Sequence, residues 1–237
     1  MEKLMIVRDM YVVLKITFTE WYREKFKESE TNSKYLNQVL TVIIGGLVVW
    51  GAFKGYGYLV YRKESAAQKV LTECIAELNK AKGGIGSWYD VEVAFDMGYK
   101  QNSGSQLAPS FLVFKAEAMY QQGKVKEAIE TLSKSLEAMG PKSDLFGVYS
   151  VKRALMKLDA QDEALSKEGL TELQAACQED SSGQGVALYY TGLYYWDNNE
   201  FAKAKDAWEK LVALRDIEDV KVSQYVEQAK ERLEQID

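Results

Sequence analysis

Residues 40–61 read LTVIIGGLVVWGAFKGYGYLVY, an almost unbroken apolar run closed by Arg62 and Lys63. As a helix these residues extend about 33 Å, against a bilayer core of about 30 Å. A core helix of a soluble protein is the competing reading. That reading is weakened because this run is apolar nearly all round and is closed by a basic pair. Trp50 lies at its middle, and Tyr56, Tyr58 and Tyr61 fall in its second half, where amphipathic rings suit a membrane interface. A single transmembrane helix is therefore expected.

Lys54 is the only formal charge in the run. An ammonium is costly at mid-bilayer, but Tyr61 is only seven positions away, so the flexible stem is expected to carry the amine toward that interface. Gly51 and Gly55 form a GxxxG step and are candidate transmembrane contact residues, because missing side chains let helices approach. The run starts too late for an ordinary cleaved signal peptide, and no small-residue cleavage pattern follows it, so a retained anchor is expected. Arg23, Lys25, Lys27 and Lys34 precede the span and Arg62, Lys63 and Lys69 follow it. This near balance leans only slightly to a cytoplasmic N-terminus. In residues 1–39, the apolar-rich opening MIVRDMYVVLKITFTEWY suits the membrane surface or a partner. The run REKFKESETNSK suits a solvated connector.

Charge separates the two sides of the span. Residues 1–63 hold 10 basic and 6 acidic side chains, a net of +4. Residues 64–237 hold 20 and 29, a net of −9. An acidic body is a poor partner for a phosphate backbone, so no nucleic acid is expected. The chain has no histidine. That removes His-based acid–base chemistry, Ser-His-Asp and Cys-His pairs, and HExxH zinc sites. Cys74 and Cys177 lack metal-ligand spacing. Two free thiols inside helices are expected, with a disulfide as the alternative. The glycine-rich GGIGS at 83–87 lacks the Walker lysine and reads as a turn. No catalytic, cofactor-binding or metal residues, and no cofactor, are expected.

Beyond the span the pattern is that of helical hairpins. Residues 64–82 place Ala67, Val70, Leu71, Cys74, Ile75 and Leu78 on one face. A shorter helix over 88–100 precedes QNSGSQ, read as flexible. From Leu107 a helix through FLVFKAEAMY turns at QQGK into a second that carries Val125, Ala128, Ile129, Leu132 and Leu136 on one side. The grammar repeats over 186–196, a turn at 197–200, and Phe201, Ala204, Trp208 and Leu211. A looser pair, 145–158 and 164–177, lies between. Aligning one small residue of each second helix gives Ala128, Ala164 and Ala204, spaced by 36 and 40 residues. A last helix over 220–236 puts Val222, Tyr225, Val226, Ala229 and Leu233 on one face and would cap the stack. The expected fold is all-α: an N-terminal single transmembrane helix followed by a helical-hairpin solenoid, with a four-helix bundle as the alternative. The expected parts are an N-terminal segment (1–39), the span (40–61), connecting helices with a flexible linker (62–106) and the repeat domain with its capping helix (107–237).

The segments AEAMYQQGKVKEAIETLSKSLEAMGP and TGLYYWDNNEFAKAKDAWEKLVAL resemble tetratricopeptide repeats. In the first, Ala116, Tyr120, Gly123, Ala128, Leu132 and Pro141 match or nearly match family positions, and Ser135 stands where alanine is usual. In the second, Gly192, Tyr195, Ala204 and Trp208 fit. Leu211 takes the alanine place and Asn199 the turn-glycine place. The layout over 35–215 resembles the bacterial single-pass tetratricopeptide proteins that include the ancillary subunit of the SecYEG translocon, although the leader is longer and less acidic. The resemblance implies a bacterial inner-membrane protein with a cytoplasmic N-terminus and a periplasmic repeat domain that contacts the translocon and chaperone or client polypeptides. The expected function is a membrane-anchored protein–protein interaction adaptor, with a homo-oligomeric membrane scaffold as the alternative. Tyr189, Tyr190, Tyr194 and Tyr195 are candidate protein-binding residues. Consecutive positions on a helix cannot share a direction, so some of them are expected in the core.

Overall fold

A computed structural model describes residue 20 and residues 30–178, 182–214 and 220–235, with side chains described at 20, 41–178, 182–214 and 224–235. Among the described residues every regular element is helical. The chain divides into two units, Met1–Ser65 and Ala66–Asp237.

Helix α1, Glu30–Lys82, supplies the regular structure described between residue 30 and the end of the first unit. From Thr41 it is long and apolar enough to cross a membrane, and none of its most apolar window is buried. Val42 is 74% exposed and Phe53 75%. A soluble core helix would have these side chains covered. Residues 40–61 and 64–82, read from the sequence as separate helices, are one element. The intervening Arg62-Lys63-Glu64-Ser65 contains neither glycine nor proline to break it. The last residues of the expected polar connector, 30–34, are already helical. The expectations for the rest of the leader fall on residues that, apart from Glu20, lie outside those described.

The second unit opens with the C-terminal stretch of α1. It ends where Gly84 adopts φ +75°, a backbone region that favours glycine, and Ser87 caps the next helix by accepting the Tyr89 N–H at 3.1 Å. The helices that follow are α2 (Trp88–Asn102), α3 (Ala108–Gln121), α4 (Val125–Met139), α5 (Phe146–Leu158), α6 (Glu163–Ala176), α7 (Gln184–Asp197), α8 (Phe201–Ala213) and α9 (Val220–Leu233). Each of α2 to α8 packs on the next, α5 also meets α7, and α9 lies on α7 and α8. Consecutive helix pairs stacked this way make a solenoid-like arrangement, in which each pair buries its apolar stripe against its neighbours.

Two turns show the repetition most directly. After α3, Gly123 has φ +79°; its N–H donates to Tyr120 O, and the Lys124 N–H donates to Met119 O. After α7, Asn199 has φ +61°, with its N–H on Trp196 O and the Glu200 N–H on Tyr195 O. Both are Schellman closures with a left-handed residue just past the helix. Asn199 fills the glycine role because asparagine tolerates that conformation best among side-chain-bearing residues.

Four clusters of buried side chains run along the unit. Cys74, Leu78, Val91, Phe95 and Phe111 join α1, α2 and α3. Val113, Ala116, Ala128, Leu132 and Met156 join α3, α4 and α5. Val151, Ala154, Leu173 and Ala187 link α5, α6 and α7, and Leu188, Ala204, Trp208, Leu211 and Ala229 join α7, α8 and α9. Tyr225, Val226 and Leu233 complete the apolar face of α9; the side chain of Val222 lies outside those described. Ala128 and Ala204 are buried as the alignment of small residues requires, but Ala164 is exposed. The close approach in the middle pair falls to Gly169, where an added Cβ would lie 2.7 Å from Ala154 O. Ser135, standing where alanine is usual, is fully buried and donates its hydroxyl to Pro109 O at 2.7 Å. Cys74 and Cys177 are both free.

A candidate protein-binding cleft

The first helix of each pair, α3, α5 and α7, contributes with α9 to a cleft of about 370 Å³. Its apolar surface comes from Val148, Val151, Leu155, Met156 and Val186, and its polar and aromatic groups are Glu117, Tyr120, Lys152, Asp159, Tyr190 and Tyr225. On α5, positions 148, 151, 152 and 155 recur at helical spacing and Asp159 follows at its C-terminal end, so a single face of one helix supplies much of the wall.

Hydrogen bonds fix the charged groups before any ligand arrives. The Tyr120 hydroxyl donates to the Asp159 carboxylate. Burial, and then the bond to Asp159 and its charge, push the phenol up to about 12, so Tyr120 stays a neutral donor throughout the physiological range. Lys152 pairs with Glu117. Burial works against the Glu117 carboxylate, but the hydrogen bond and charge of Lys152 prevail and hold its pKa below the ordinary value. Cross-helix pairs of this kind tie α3 to α5 and leave the cleft with a mixed, internally bonded polar rim.

At the other end the walls are aromatic. Tyr189, Tyr190 and Tyr225 form a cluster with ring centroids 5.0–6.0 Å apart, within the range for favourable ring–ring contact. Tyr190 reaches the cleft and is half-buried, whereas Tyr189 is 8% exposed and belongs to the α7–α8–α9 core. Tyr194 and Tyr195 are half-buried and stack edge-on at 5.6 Å. Tyr195 faces a second, larger cleft of about 1070 Å³ between α6, α7 and α8. There its hydroxyl accepts from Gln174 Nε2 at 2.8 Å, and the Lys203 ammonium sits 5.0 Å from its ring centroid. Tyr189, Tyr190 and Tyr195 therefore serve three surroundings, and the four tyrosines do not form one site. Gly51 and Gly55 lie on α1 with open space around them.

The larger cleft also holds Cys177, whose Sγ is 3.3 Å from Thr191 Oγ1. Burial pushes that thiol up, with the Thr191 bond opposing the shift only in part. A thiol so raised is a poor nucleophile near neutral pH. Among the described residues no three potential metal-ligating side chains converge.

Val148, Lys152, Leu155 and Asp159 did not stand out in the sequence. Their stripe has the same period as a core stripe, and only the placement of α3, α7 and α9 shows which part of it stays accessible. Tyr120 stood out as a position matching the tetratricopeptide pattern; its bond to Asp159 joins residues 39 apart in sequence.

No family model, curated protein or solved structure matches the chain.

Proposed function

We propose that this protein is a membrane-anchored adaptor whose helix-pair platform binds segments of other proteins in the cleft of α3, α5, α7 and α9. The observation that carries this reading is the make-up of that cleft. An apolar wall, a tyrosine cluster and a pre-bonded polar rim are drawn from four helices. Protein segments are recognised by buried apolar and aromatic anchors within polar surroundings. The exposed apolar length of α1 supports the anchor. The net charge of −9 over residues 64–237 favours basic client regions and salt-sensitive association.

The resemblance to single-pass tetratricopeptide proteins extends the proposal. The anchor lies in a bacterial inner membrane, the N-terminus is cytoplasmic and the repeat domain periplasmic. The partners are a membrane protein such as a translocon, together with chaperone or client polypeptides.

Site-specific photocrosslinking in cells tests both parts. A photoreactive residue at Val148, Lys152 or Tyr190 of the full chain is expected to capture the same polypeptide, whereas one at Glu130, exposed on α4, is not. If the cleft positions give no product absent from the Glu130 control, the adaptor reading loses its support. Reporter fusions at both termini address location, and a cytoplasmic C-terminus would sink the envelope assignment.

A further inference from the structure

We infer that the face of α1 bearing Gly51, Lys54, Gly55 and Tyr58 docks a membrane helix of another protein that carries a carboxylate at the depth of Lys54. The inference rests on the membrane anchor proposed above and is independent of the cleft.

Positions 51, 54, 55 and 58 recur at three- and four-residue spacing and share one side of a helix. Lys54 is about 10 Å along the helix from Tyr61 and about 21 Å from Leu40, so it enters the apolar span well short of the nearer end. The sequence suggested that its stem would run toward Tyr61. Instead its Nζ lies 5.9 Å from the centroid of the Trp50 ring, one turn in the opposite direction. Side chains on a helix lean toward its N-terminus, which accounts for the direction and leaves the ammonium deeper in the span. No carboxylate pairs with Lys54 among the described residues. The cation–π contact with Trp50 places a ring beside the charge but does not neutralise it.

The two glycines bear on the shape of the occupant. Glycine within a helix is less favourable than alanine, because the unfolded chain loses more freedom. This protein's own packing does not require it, since a Cβ added at Gly51 or Gly55 would meet nothing within 4 Å. Small residues one turn apart allow a second backbone to come close, near enough for a short acidic side chain to reach the ammonium beside them. In a low-dielectric surrounding an opposite charge at that position offsets much of the cost of burying Lys54.

A second copy of this chain fits poorly. A parallel pair packed on this face would bring two Lys54 ammonium groups together, with Arg62 following one turn after Tyr58 on the same side. Like charges meeting in such surroundings are repelled.

The test uses the full chain, donor-labelled and reconstituted in phosphatidylcholine vesicles. The probes are acceptor-labelled polyleucine transmembrane peptides that carry a glycine step and Asp, Asn or Lys at the matching depth. Energy transfer should show association with the Asp peptide about tenfold stronger than with the Asn or Lys peptides, in line with the cost of leaving a charge unpaired in apolar surroundings. Lys54→Met should remove that preference, and Gly51→Leu with Gly55→Leu should weaken binding of the Asp peptide itself. If alkaline carbonate strips the chain from the vesicles, the membrane reading falls and this inference with it. An inserted chain that treats the Asp and Asn peptides alike overturns the inference alone. So does glycine-dependent transfer between copies of the chain that the Asp peptide does not displace. Lys54-dependent transfer to labelled phosphatidylglycerol that survives the Asp peptide also overturns it, assigning the lysine to lipid headgroups.

Discussion

Replacing Gly192 by alanine tests a close contact between α7 and α8. A Cβ at this position on α7 would lie 2.1 Å from Trp208 Nε1 and 2.5 Å from Cδ1 and Cε2 of the same indole. Trp208 is fully buried, and its Nε1–H donates to Tyr189 O at 3.2 Å. The ring therefore has neither an empty direction nor a free hydrogen-bonding edge. Overpacking of such a site costs about 1–3 kcal/mol, and loss of a buried hydrogen bond adds roughly 1 kcal/mol. Alanine's better helix propensity returns about 1 kcal/mol. The net expectation is a loss of about 1–3 kcal/mol. With a urea m-value near 2 kcal/mol per molar, the unfolding midpoint of the full chain in detergent micelles should fall by roughly 0.5–1.5 M. Far-UV circular dichroism measures that midpoint, and amide exchange in α7 and α8 should accelerate alongside it. A Trp208→Leu background supplies the control. With the indole gone, the added methyl has room, and the cost of Gly192→Ala should drop below about 1 kcal/mol, a coupling of the size expected for residues in contact. If Gly192→Ala costs the same in both backgrounds, the indole contact is not its cause and the packing argument fails.

Gly123→Ala and Asn199→Ala should each cost about 1 kcal/mol for a left-handed backbone, whereas Asn199→Gly should gain a few tenths; thermal or urea midpoints would separate these signs. Tyr120→Phe removes the donor to Asp159 and should cost roughly 1 kcal/mol while weakening crosslinking from the cleft, and equal crosslinking would show that the rim does not select ligands. The Asp96 carboxylate is held low by hydrogen bonds from Lys100 and then Lys115, with burial opposing. At Glu92, burial raises the pKa, but hydrogen bonds from Lys124 and Gln122 outweigh it and the net shift is downward. Because the folded pKa values lie below the unfolded ones, this stabilisation is complete above the unfolded value of about 4 and disappears as pH falls through the folded values. Asp96→Asn should therefore flatten the loss of stability measured between about pH 5 and 2, and an unchanged acid slope would remove Asp96 from the account. The double substitution Gly51→Leu with Gly55→Leu should leave cleft crosslinking intact, since both residues lie outside the Ala66–Asp237 unit; parallel loss would tie client capture to helix association.

Much of the all-α architecture was legible in residues 40–237, because periodicity is a local property. The apolar run identified the exposed part of α1. Apolar spacing outlined the helices of the pairs, and the turns at Gly123 and Asn199 fell where the repeat grammar put them. These signals depend on a residue's own backbone preferences and on neighbours three or four positions away, so a linear sequence carries them in full.

Tertiary structure decided which of several similar residues face one another. Ala164 is as small as Ala128 and Ala204, yet Gly169 makes the close contact in the middle pair, because the approach of α5 to α6 is set by both helices together. Tyr189, Tyr190 and Tyr195 of α7 divide between core and two clefts for the same reason: a helix spreads its residues around its axis, and the neighbours on each side determine what each one meets. The stripe of α5 that lines the cleft has the period of a core stripe, and only the positions of α3, α7 and α9 distinguish the two. The direction of Lys54 likewise follows from the lean of a side chain along its helix. From the sequence alone, Leu40 to Tyr61 determined that a membrane-length helix would form; the folded chain determined what its lysine and the tyrosines beyond it are placed to touch.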